Sequence, residues 1–365
     1  DLSTNILILT GSPIAGRYSL PENVDFVRIP GMIKKTNDEY HSLSIRINAE
    51  HALNIRKSII SATARSFQPD LFIVDKEPLG LKKEVLPILR WFKKHHPQTR
   101  TVLGLRDIMD DRETVRSDWQ HKKVYRYLDE LYSEIWVYGR QDIYDSAVEY
   151  DIPEKVQKKM FFTGYLPRNV ASLKMKQKTR KKFCVRNDER MIVVTAGGGG
   201  DGFKMMDTFI AMYESCKIPG IKSILITGPF MPKVERRHLA KRARPFKIKV
   251  LPFYPRMEEM FGAADLVVSM GGYNTICEIL SQETPSLIIP RETPRKEQLI
   301  RAQALKKHQL IDFIPWPRLN PGNLHEKLTA MLGSLDSYRQ AISVFELDGI
   351  SFIKDRLRRF KDFQP

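Results

Sequence analysis

The chain has 365 residues, for which two domains are the usual organisation, and its hydrophobic fraction of 42% excludes an intrinsically disordered protein. The formal net charge of +17 at pH 7 indicates an anionic partner, and nucleic acid, an anionic membrane surface and a phosphorylated substrate all fit that charge. Three distant cysteines without a CxxC pair argue against a disulfide framework and a zinc site, and they fit a reducing compartment.

The chain opens at Asp1 and not at a methionine, which leaves room for a native leader or first element outside this sequence, and no apolar run reaches the length of a membrane span. In the first half, short apolar runs alternate with helical patterns. Strands are predicted over 6–9, 24–29, 69–75, 101–105, 134–138 and 160–163, and helices over 42–66, 81–94 and 114–131. This alternation predicts a mostly parallel sheet covered on both faces, and hence a Rossmann-like domain over residues 1–168.

A basic stretch with little apolar periodicity, residues 169–190, is expected to connect this domain to a second one. The α/β pattern then restarts over 191–335. Strands are predicted at 191–195, 221–227, 249–252, 266–269 and 286–290, and helices at 204–215 and 297–307, with a basic helix between the second and third strands. Two such domains facing each other across a cleft is the simplest architecture. Residues 336–365 carry a helical pattern; a solvated strut that crosses back to the first domain is favoured over an interfacial membrane helix.

The most informative stretch is a pair of glycines, Gly271 and Gly272, between an apolar strand and a helical pattern. Paired glycines allow a tight turn and leave no side chain above the helix N-terminus, where free N–H groups and the helix dipole favour phosphate. Glu278, expected in the first turn, would accept hydrogen bonds from a sugar diol. The alternative is a capping box, Thr275-x-x-Glu278, in which the glutamate bonds only to its own helix.

A second glycine-rich segment, 196–202, follows a predicted strand and formally fits the dinucleotide-binding pattern GxGxxG. The match has little specificity, because a run of glycines satisfies many patterns. The next strand ends at Thr227-Gly228-Pro229 without the acidic residue that would hold an adenosine ribose, so a nicotinamide or flavin enzyme is disfavoured. The alternative interpretation is a flexible loop that approaches a phosphate or the transferred group, with Gly198, Gly199 and Gly200 as its central residues.

Four segments together resemble the donor half of the family 28 glycosyltransferases, the group that includes the MurG-type peptidoglycan N-acetylglucosaminyltransferases. They are Ala196 to Gly202, Phe253-Tyr254-Pro255, Ser269 to Glu278 and Pro290 to Gln298. Their order and spacing match from about residue 191 to about residue 332. The resemblance implies an α/β protein of the GT-B fold, with two Rossmann-like domains of which 191–335 binds the nucleotide sugar.

The resemblance also implies roles for particular residues. The loop of Phe253 and Tyr254 would pack against the nucleobase, and the Gly271-Gly272 turn, with Asn274 and Thr275 at the helix start, would hold the diphosphate. Glu278 would hold the ribose hydroxyls. Glu297 and Gln298 would hold hydroxyls of the donor sugar, since a carboxylate and an amide offer acceptors and a donor to vicinal hydroxyls. The alternative for this pair is two exposed polar residues that open the helix 297–307.

The catalytic base is the least defined part. In the resembling family the first strand precedes a glycine-rich loop with a histidine, and no counterpart precedes Ile6. Asp107, directly after a strand, is the candidate base or acceptor-orienting group, and Asp75 is a second choice. The alternative role of Asp107 is a turn or N-cap carboxylate. The absence of DxD, HExxH and clustered His/Cys patterns argues against a metal or another cofactor.

The sequence therefore predicts a metal-independent, inverting glycosyltransferase whose donor is a nucleotide sugar, UDP-linked and of the UDP-N-acetylhexosamine kind. The acceptor would be a glycan or a lipid-linked glycan of polysaccharide or cell-envelope biosynthesis, in the cytoplasm or at the inner face of the plasma membrane. A hydrolase or epimerase of nucleotide sugars and a non-catalytic nucleotide-sugar-binding protein are the alternatives. The basic cluster 233–249 fits a solvated helix or contact with anionic lipid. Nucleic acid is not expected, because aromatic residues are not interleaved with these charges.

Overall fold

The computed structural model describes residues 4–13, 15–17, 19–34, 40–42, 45–198, 200–216 and 218–361. The chain forms two compact units. The first comprises residues 1–105, 119–136 and 153–161, and the second comprises residues 106–118, 137–152 and 162–365. Within the described ranges, every helix is too short or too polar to cross a membrane.

Up to residue 162 the described residues contain eight strands, four of which precede the first α-helix, and all six strands predicted for this part are present. The strands are β1 (Ile6–Thr10), β2 (Val24–Arg28), β3 (Met32–Lys34), β4 (Tyr40–Ser42), β5 (Leu71–Asp75), β6 (Arg100–Arg106), β7 (Glu134–Tyr138) and β8 (Met160–Phe162). The helices are α1 (Ala49–Phe67), α2 (Leu86–His95), α3 (Arg112–His121), α4 (Val124–Leu131), α5 (Ser146–Glu149) and α6 (Glu154–Gln157). β1 pairs with β2 and β5 with β6, both in parallel, and β5 to β8 form one sheet in chain order.

Local backbone chemistry moves two of the predicted helices. α1 begins at Ala49 and not at residue 42, because Asn48 caps it through its Oδ1, which accepts the N–H of His51 at 2.7 Å. The helix predicted over 114–131 is two helices, α3 and α4, because Lys123 between them has a left-handed φ of 58°. The antiparallel pair β3–β4 was not predicted, since β4, Tyr40–Ser42, has no apolar run.

The rest of the chain repeats the α/β alternation. The strands are β9 (Arg190–Thr195), β10 (Ile221–Ile226), β11 (Lys249–Leu251), β12 (Leu266–Ser269), β13 (Ser286–Ile288) and β14 (Asp312–Phe313). The helices are α7 (Leu173–Lys182), α8 (Phe203–Ser215), α9 (Lys233–Ala243), α10 (Met257–Ala263), α11 (Tyr273–Ser281), α12 (Glu297–Lys307), α13 (Pro321–Leu332), α14 (Leu335–Ser343) and α15 (Gly349–Lys361).

These six strands form one parallel sheet in the order β11-β10-β9-β12-β13-β14. The central strand β9 explains the continuous apolar runs of the sequence. Its Ile192 and Val194 belong to one apolar cluster and its Met191 and Val193 to another, so the sheet is buried on both faces. Strands β9 to β11 run outward on one side and β12 to β14 on the other.

Two segments outside this sheet differ from the simplest expectation. The stretch 169–190 contains helix α7, whose Arg180 donates to Asp265 at 2.8 Å. The C-terminal pattern forms two helices, α14 and α15, separated by residues 344–348. The N–H of Gly349, where α15 begins, donates to the carbonyl of Tyr165 at 3.1 Å.

Candidate functional site

The topology of the second sheet puts a switch point between β9 and β12, where a crevice is expected. The chain leaves these two adjacent parallel strands in opposite directions, and the carboxyl ends of strands at such a switch point are where open α/β sheets bind ligands. The glycine-rich segment 196–202 follows β9, and the Gly271-Gly272 turn follows β12. The two glycine motifs of the sequence therefore meet at one place.

The Gly271-Gly272 turn leaves the start of α11 open. Gly272 is the N-cap residue, and α11 has no side-chain cap. A Cβ placed on Gly272 would meet no atom within 4 Å, whereas a Cβ on Gly271 would lie 3.1 Å from the carbonyl oxygen of Gln298. Gly271 is thus packed against the protein while Gly272 borders open space, as the phosphate-seat hypothesis requires.

Two side chains of α12 hold both polar groups of Gly271. The N–H of Gly271 donates to Gln298 Oε1 at 3.2 Å, and its carbonyl accepts from Arg301 Nη1 at 2.8 Å. Gln298 Oε1 also accepts the N–H of Arg291 at 3.1 Å. Residues three apart on a helix share one face, so α12 acts as a clamp on the turn. Gln298 is therefore occupied at its oxygen, and only its amide NH₂ is left for a ligand.

Asp107 has contacts that do not suit a general base. Its carboxylate receives Nε and Nη2 of Arg301 at 2.8 and 2.6 Å and the hydroxyl of Tyr165 at 3.1 Å. The residue is only 2% exposed. Both oxygens are occupied in a closed environment, so these contacts favour a structural role over the base expected from the sequence. Asp75, the second choice, is an exposed residue at the end of β5.

Glu278 lies in the second turn of α11 and not in the first, because the helix begins at Tyr273. This start also excludes the capping box, since Thr275 is the third helical residue and not the N-cap. The Glu278 carboxylate is half-buried and has no hydrogen-bond partner in the described part of the chain. Burial raises its pKa, the charge of Arg168 partly opposes that rise, and Glu258 adds to it.

Two arginines that the sequence analysis did not assign to the site lie at the start of α11. Arg106 Nη1 and Arg168 Nη2 each donate to Asn274 Oδ1 at 3.1 Å. The guanidinium of Arg106 also lies 5.0 Å from the ring centre of Tyr273. Arg106 is the last residue of β6, a strand end being the only sequence signal for it, and Arg168 lies six residues after β8 without such a signal. They add positive charge beside the helix N-terminus.

The glycine-rich loop approaches the same helix. Gly197 has a φ of +61°, and a Cβ there would lie 3.5 Å from Thr275 Oγ1. The carbonyl of Gly198 accepts the N–H of Phe230 at 3.0 Å, and Gly200 borders open space. Gly199 lies outside the described residues. Only glycine fits at Gly228, since a Cβ there would lie 2.4 Å from the carbonyl oxygen of Gly197.

Glu297 and Arg291 form a polar cluster at the edge of this loop. Arg291 donates to Asp201 Oδ2 at 2.9 Å and to Glu297 Oε1 at 2.7 Å. Glu297 Oε2 and Arg291 Nε are buried and have no partner among the described residues. An unpaired buried polar atom is costly, and these two therefore fit a polar ligand at this point.

Phe253 and Tyr254, expected beside a nucleobase, differ in exposure. Phe253 is 48% exposed, whereas Tyr254 is 6% exposed and belongs to an apolar core cluster. Both line a cavity of about 820 Å³, the other walls of which are β11, the end of α7, Lys222 of β10 and the segment from Ala240 of α9 to β11. The side chain of Phe253 is free to pack on a ligand, while Tyr254 can contribute its main chain only.

The basic cluster 233–249 is largely unpaired. Arg242 binds Asp207 and Glu214, but the other exposed cations of the cluster have no carboxylate partner in the described ranges. They are Lys233, Arg237, Lys241, Arg244, Lys247 and Lys249. No group of three or more His, Cys, Asp or Glu residues in the described ranges could hold a metal ion.

Comparison with known proteins identifies the C-terminal part of the chain. The model of the glycosyltransferase family 28 C-terminal domain matches residues 191–350. The UDP-N-acetylglucosamine--N-acetylmuramyl-(pentapeptide) pyrophosphoryl-undecaprenol N-acetylglucosamine transferase of Clostridioides difficile (strain 630) is 26% identical over 217 residues, which are 57% of this chain and 52% of that protein. The Alkaliphilus metalliredigens protein of the same name is 23% identical over 215 residues, 55% and 58% of the two chains. The chain thus spans about half the length of the curated relatives it matches.

Solved structures show the fold. Acinetobacter baumannii MurG superimposes with a TM-score of 0.60 at 11% identity, over 97% of this chain and 91% of that chain. Phytolacca americana UGT2 gives 0.62 at 11% identity, over 98% and 93%. The UDP-GlcNAc 2-epimerase of Neisseria meningitidis, bound to UDP-GlcNAc, gives 0.55 at 13% identity, over 87% and 83%. The chain has the GT-B fold, with two Rossmann-like domains, as predicted.

Proposed function

Because residues 191–350 form a glycosyltransferase family 28 C-terminal domain, we propose that the protein transfers a sugar from a UDP-linked donor to an acceptor hydroxyl, with inversion. The observation that carries the proposal is the open N-terminus of α11. It lies beyond a glycine turn that α12 holds in place, and the half-buried carboxylate of Glu278, which has no hydrogen-bond partner in the described ranges, follows on the same helix. A diphosphate and its ribose need such neighbours.

The donor would lie along the crevice between β9 and β12. The diphosphate would bind at Gly272, Asn274 and Thr275, with positive charge from Arg106 and Arg168. Glu278 would accept hydrogen bonds from the ribose diol. Glu297 Oε2 and the amide NH₂ of Gln298 would bind hydroxyls of the transferred sugar, and the nucleobase would pack beside Phe253 and the main chain of Tyr254. Gly198, Gly199 and Gly200 would let the loop approach the donor closely.

The chemistry would be direct displacement at the anomeric carbon. As the sugar leaves, negative charge develops on the departing diphosphate, where the helix N-terminus and the two arginines stabilise it without a metal ion. The ion pair with Arg301 makes Asp107 a poor candidate for the general base that accepts the proton of the attacking hydroxyl.

The names of the relatives support a substrate class. They are named as transferases of N-acetylglucosamine to an N-acetylmuramyl-(pentapeptide) pyrophosphoryl-undecaprenol, so we propose a UDP-N-acetylhexosamine donor and a lipid-linked or glycan acceptor. Residues 1–168 would serve the acceptor, with 169–190 as connection, 191–335 as donor domain and 336–365 as a strut. The unpaired cations of 233–249 would let the protein bind as a peripheral protein to an anionic inner membrane face.

A thermal-shift panel tests the donor site. UDP and UDP-N-acetylglucosamine are expected to raise the melting temperature, since a ligand that binds only the folded state stabilises it. ADP, GDP and their sugars should have smaller effects. Equal shifts with every nucleotide would contradict a specific UDP site, and the absence of any shift would contradict the proposed function.

An epimerase or hydrolase of nucleotide sugars is the second candidate, favoured by the similarity to the UDP-GlcNAc 2-epimerase. Incubation of the protein with UDP-N-acetylglucosamine and no acceptor separates the two functions. Stoichiometric release of UDP, or conversion of the sugar detected by NMR, would support the second candidate. A stable donor that is consumed only when an acceptor is added would support transfer.

Gly272→Ala is expected to weaken UDP binding by about 1.5–3 kcal/mol, because the added methyl group lies over the helix N-terminus and removes hydrogen bonds to a charged group. Its cost in stability should be at most about 1 kcal/mol, the usual effect of alanine at an N-cap. Calorimetry with UDP and thermal unfolding measure the two effects. Gly333→Ala, whose Cβ makes ordinary contacts outside the crevice, is the matched control.

A further inference from the structure

We infer that Arg301, through its ion pair with Asp107, is the positioning residue that aims the backbone of the Gly271-Gly272 turn at the donor diphosphate. This inference rests on the proposed function. Arg301 is 1% exposed and borders no open space, so it cannot touch the donor itself. Arg301 would act on the donor through the peptide group that joins Gly271 to Gly272.

The guanidinium of Arg301 is held at both ends. Its Nε and Nη2 donate to the carboxylate of Asp107 at 2.8 and 2.6 Å, and Nη2 also reaches the carbonyl of Ile108 at 3.3 Å. The remaining nitrogen, Nη1, donates to the carbonyl of Gly271 at 2.8 Å. Because the guanidinium is planar, the carboxylate that binds Nε and Nη2 also fixes the direction in which Nη1 points.

The geometry of a trans peptide carries this direction to the site. The carbonyl of one residue and the N–H of the next lie in one plane and point in opposite directions. Because Arg301 draws the Gly271 carbonyl into the protein, the N–H of Gly272 points away from Arg301. That N–H donates no hydrogen bond within the described residues, and Gly272 borders open space. Arg301 thereby presents a free donor at the start of α11.

The neighbours of the ion pair resist any change in its position. Tyr165, fully buried, donates its hydroxyl to Asp107 at 3.1 Å and stacks on Tyr273 with ring centres 6.0 Å apart. The hydroxyl of Tyr273, the first residue of α11, accepts the N–H of Leu166 at 3.4 Å. The chain next to Asp107 is tied to α12 a second time, because the N–H of Lys296 donates to Asp110 Oδ1 at 2.8 Å.

A buried ion pair is a poor device for stability alone. Removing two charges from water costs about as much as their attraction returns, and apolar replacements are often as stable. Burial by itself would lower the pKa of Arg301, but the charge and hydrogen bonds of Asp107 raise it overall, so the guanidinium keeps its charge. An apolar pair, however, could not donate a hydrogen bond to the Gly271 carbonyl and so fix its direction.

The test compares UDP with uridine, which lacks the diphosphate, by calorimetry on the full chain. Arg301→Met and Asp107→Asn are expected to weaken UDP binding about tenfold or more, the effect of losing an oriented hydrogen bond to a charged group, and to leave uridine binding unchanged. Lys307→Met, at an exposed position on the same helix, is the matched control and should change neither.

Equal losses for UDP and uridine would show that Arg301 only supports the fold, and unchanged UDP binding would equally overturn the inference. Should Arg301→Met fail to fold, Arg301→Lys decides the matter, because lysine keeps the charge but cannot hold Asp107 and Gly271 in one plane. A selective loss of UDP affinity is again the supporting result. Failure of the unaltered protein to bind UDP would instead reject the proposed function.

Discussion

Arg56→Met is expected to lower the free energy of unfolding of the first compact unit by about 3–5 kcal/mol. Arg56 lies on α1 and donates Nε and Nη2 to the carboxylate of Glu84, both at 2.6 Å, and Nη1 to the carbonyl of Pro30 at 2.6 Å. Arg56 and Glu84 are 8% and 5% exposed. Removal of the arginine would leave the buried carboxylate of Glu84 with only the N–H of Leu81 as a donor, at 3.3 Å, and would take its donor from the Pro30 carbonyl, which accounts for the size of the effect.

Intrinsic fluorescence suits this measurement, because Trp91, Trp119 and Trp136 lie in the first unit and only Trp316 lies in the second. Denaturant unfolding followed at the tryptophans should move to lower concentration in the variant. Lys57→Met removes a neighbouring cation of α1 that has no ion pair in the described ranges, and it serves as control. A shift no larger than that of the control would mean that the pair contributes little. The double change Arg56→Met with Glu84→Leu should recover most of the loss.

The parallel sheet of the second unit could be read from the sequence because of where its strands lie. A strand buried on both faces, such as β9, must be apolar at every position, and that pattern needs no knowledge of its partners. The two-residue strand β14 was missed, and so was the pair β3–β4, of which β4 (Tyr40–Ser42) has no apolar run. The interruption at Lys123 depends on a single left-handed residue and leaves no sequence pattern.

Some features of the candidate site could likewise be predicted from the sequence, and others could not. The glycine turn after β12 was predictable because the glycines and the helix start are neighbours in the chain. The ion pair of Asp107 was not predictable, since its partner Arg301 is 194 residues away and the pairing depends on the complete fold. A strand-end carboxylate looks the same in sequence whether it faces a substrate or an arginine. The capping-box alternative for Glu278 depended on the exact start of α11, and boundaries are the least certain part of any pattern.

Glu278→Gln is expected to weaken UDP binding by about 1–3 kcal/mol, because the ribose diol would lose a charged acceptor and keep a neutral one of the same shape. Calorimetry with UDP measures the loss. Glu258→Gln is the matched control: it removes a neighbouring carboxylate that raises the pKa of Glu278 but leaves Glu278 in place, so UDP binding should persist. Unchanged UDP affinity in Glu278→Gln would contradict the proposed hydrogen bonds between Glu278 and the ribose.

The same substitution should make the free protein more stable at neutral pH, and the sign follows from the pKa. Burial raises the pKa of Glu278 above the ordinary value of 4.5, so the folded protein holds a proton that the unfolded chain has already released. Stability therefore falls as the pH rises from that ordinary value through the raised pKa, and above it the ionised carboxylate keeps a constant cost. Glutamine has no such cost, so melting temperatures of the variant and the unaltered protein should converge near pH 4 and separate towards pH 8 in favour of the variant. Glu278 would thus destabilise the fold at neutral pH, whereas its neutral replacement would weaken ligand binding. This combination is expected where ligand binding, and not stability, determines the side chain. A difference in melting temperature between the two proteins that stays the same across this pH range would show that Glu278 is not held in the buried, unpaired state on which its proposed role depends.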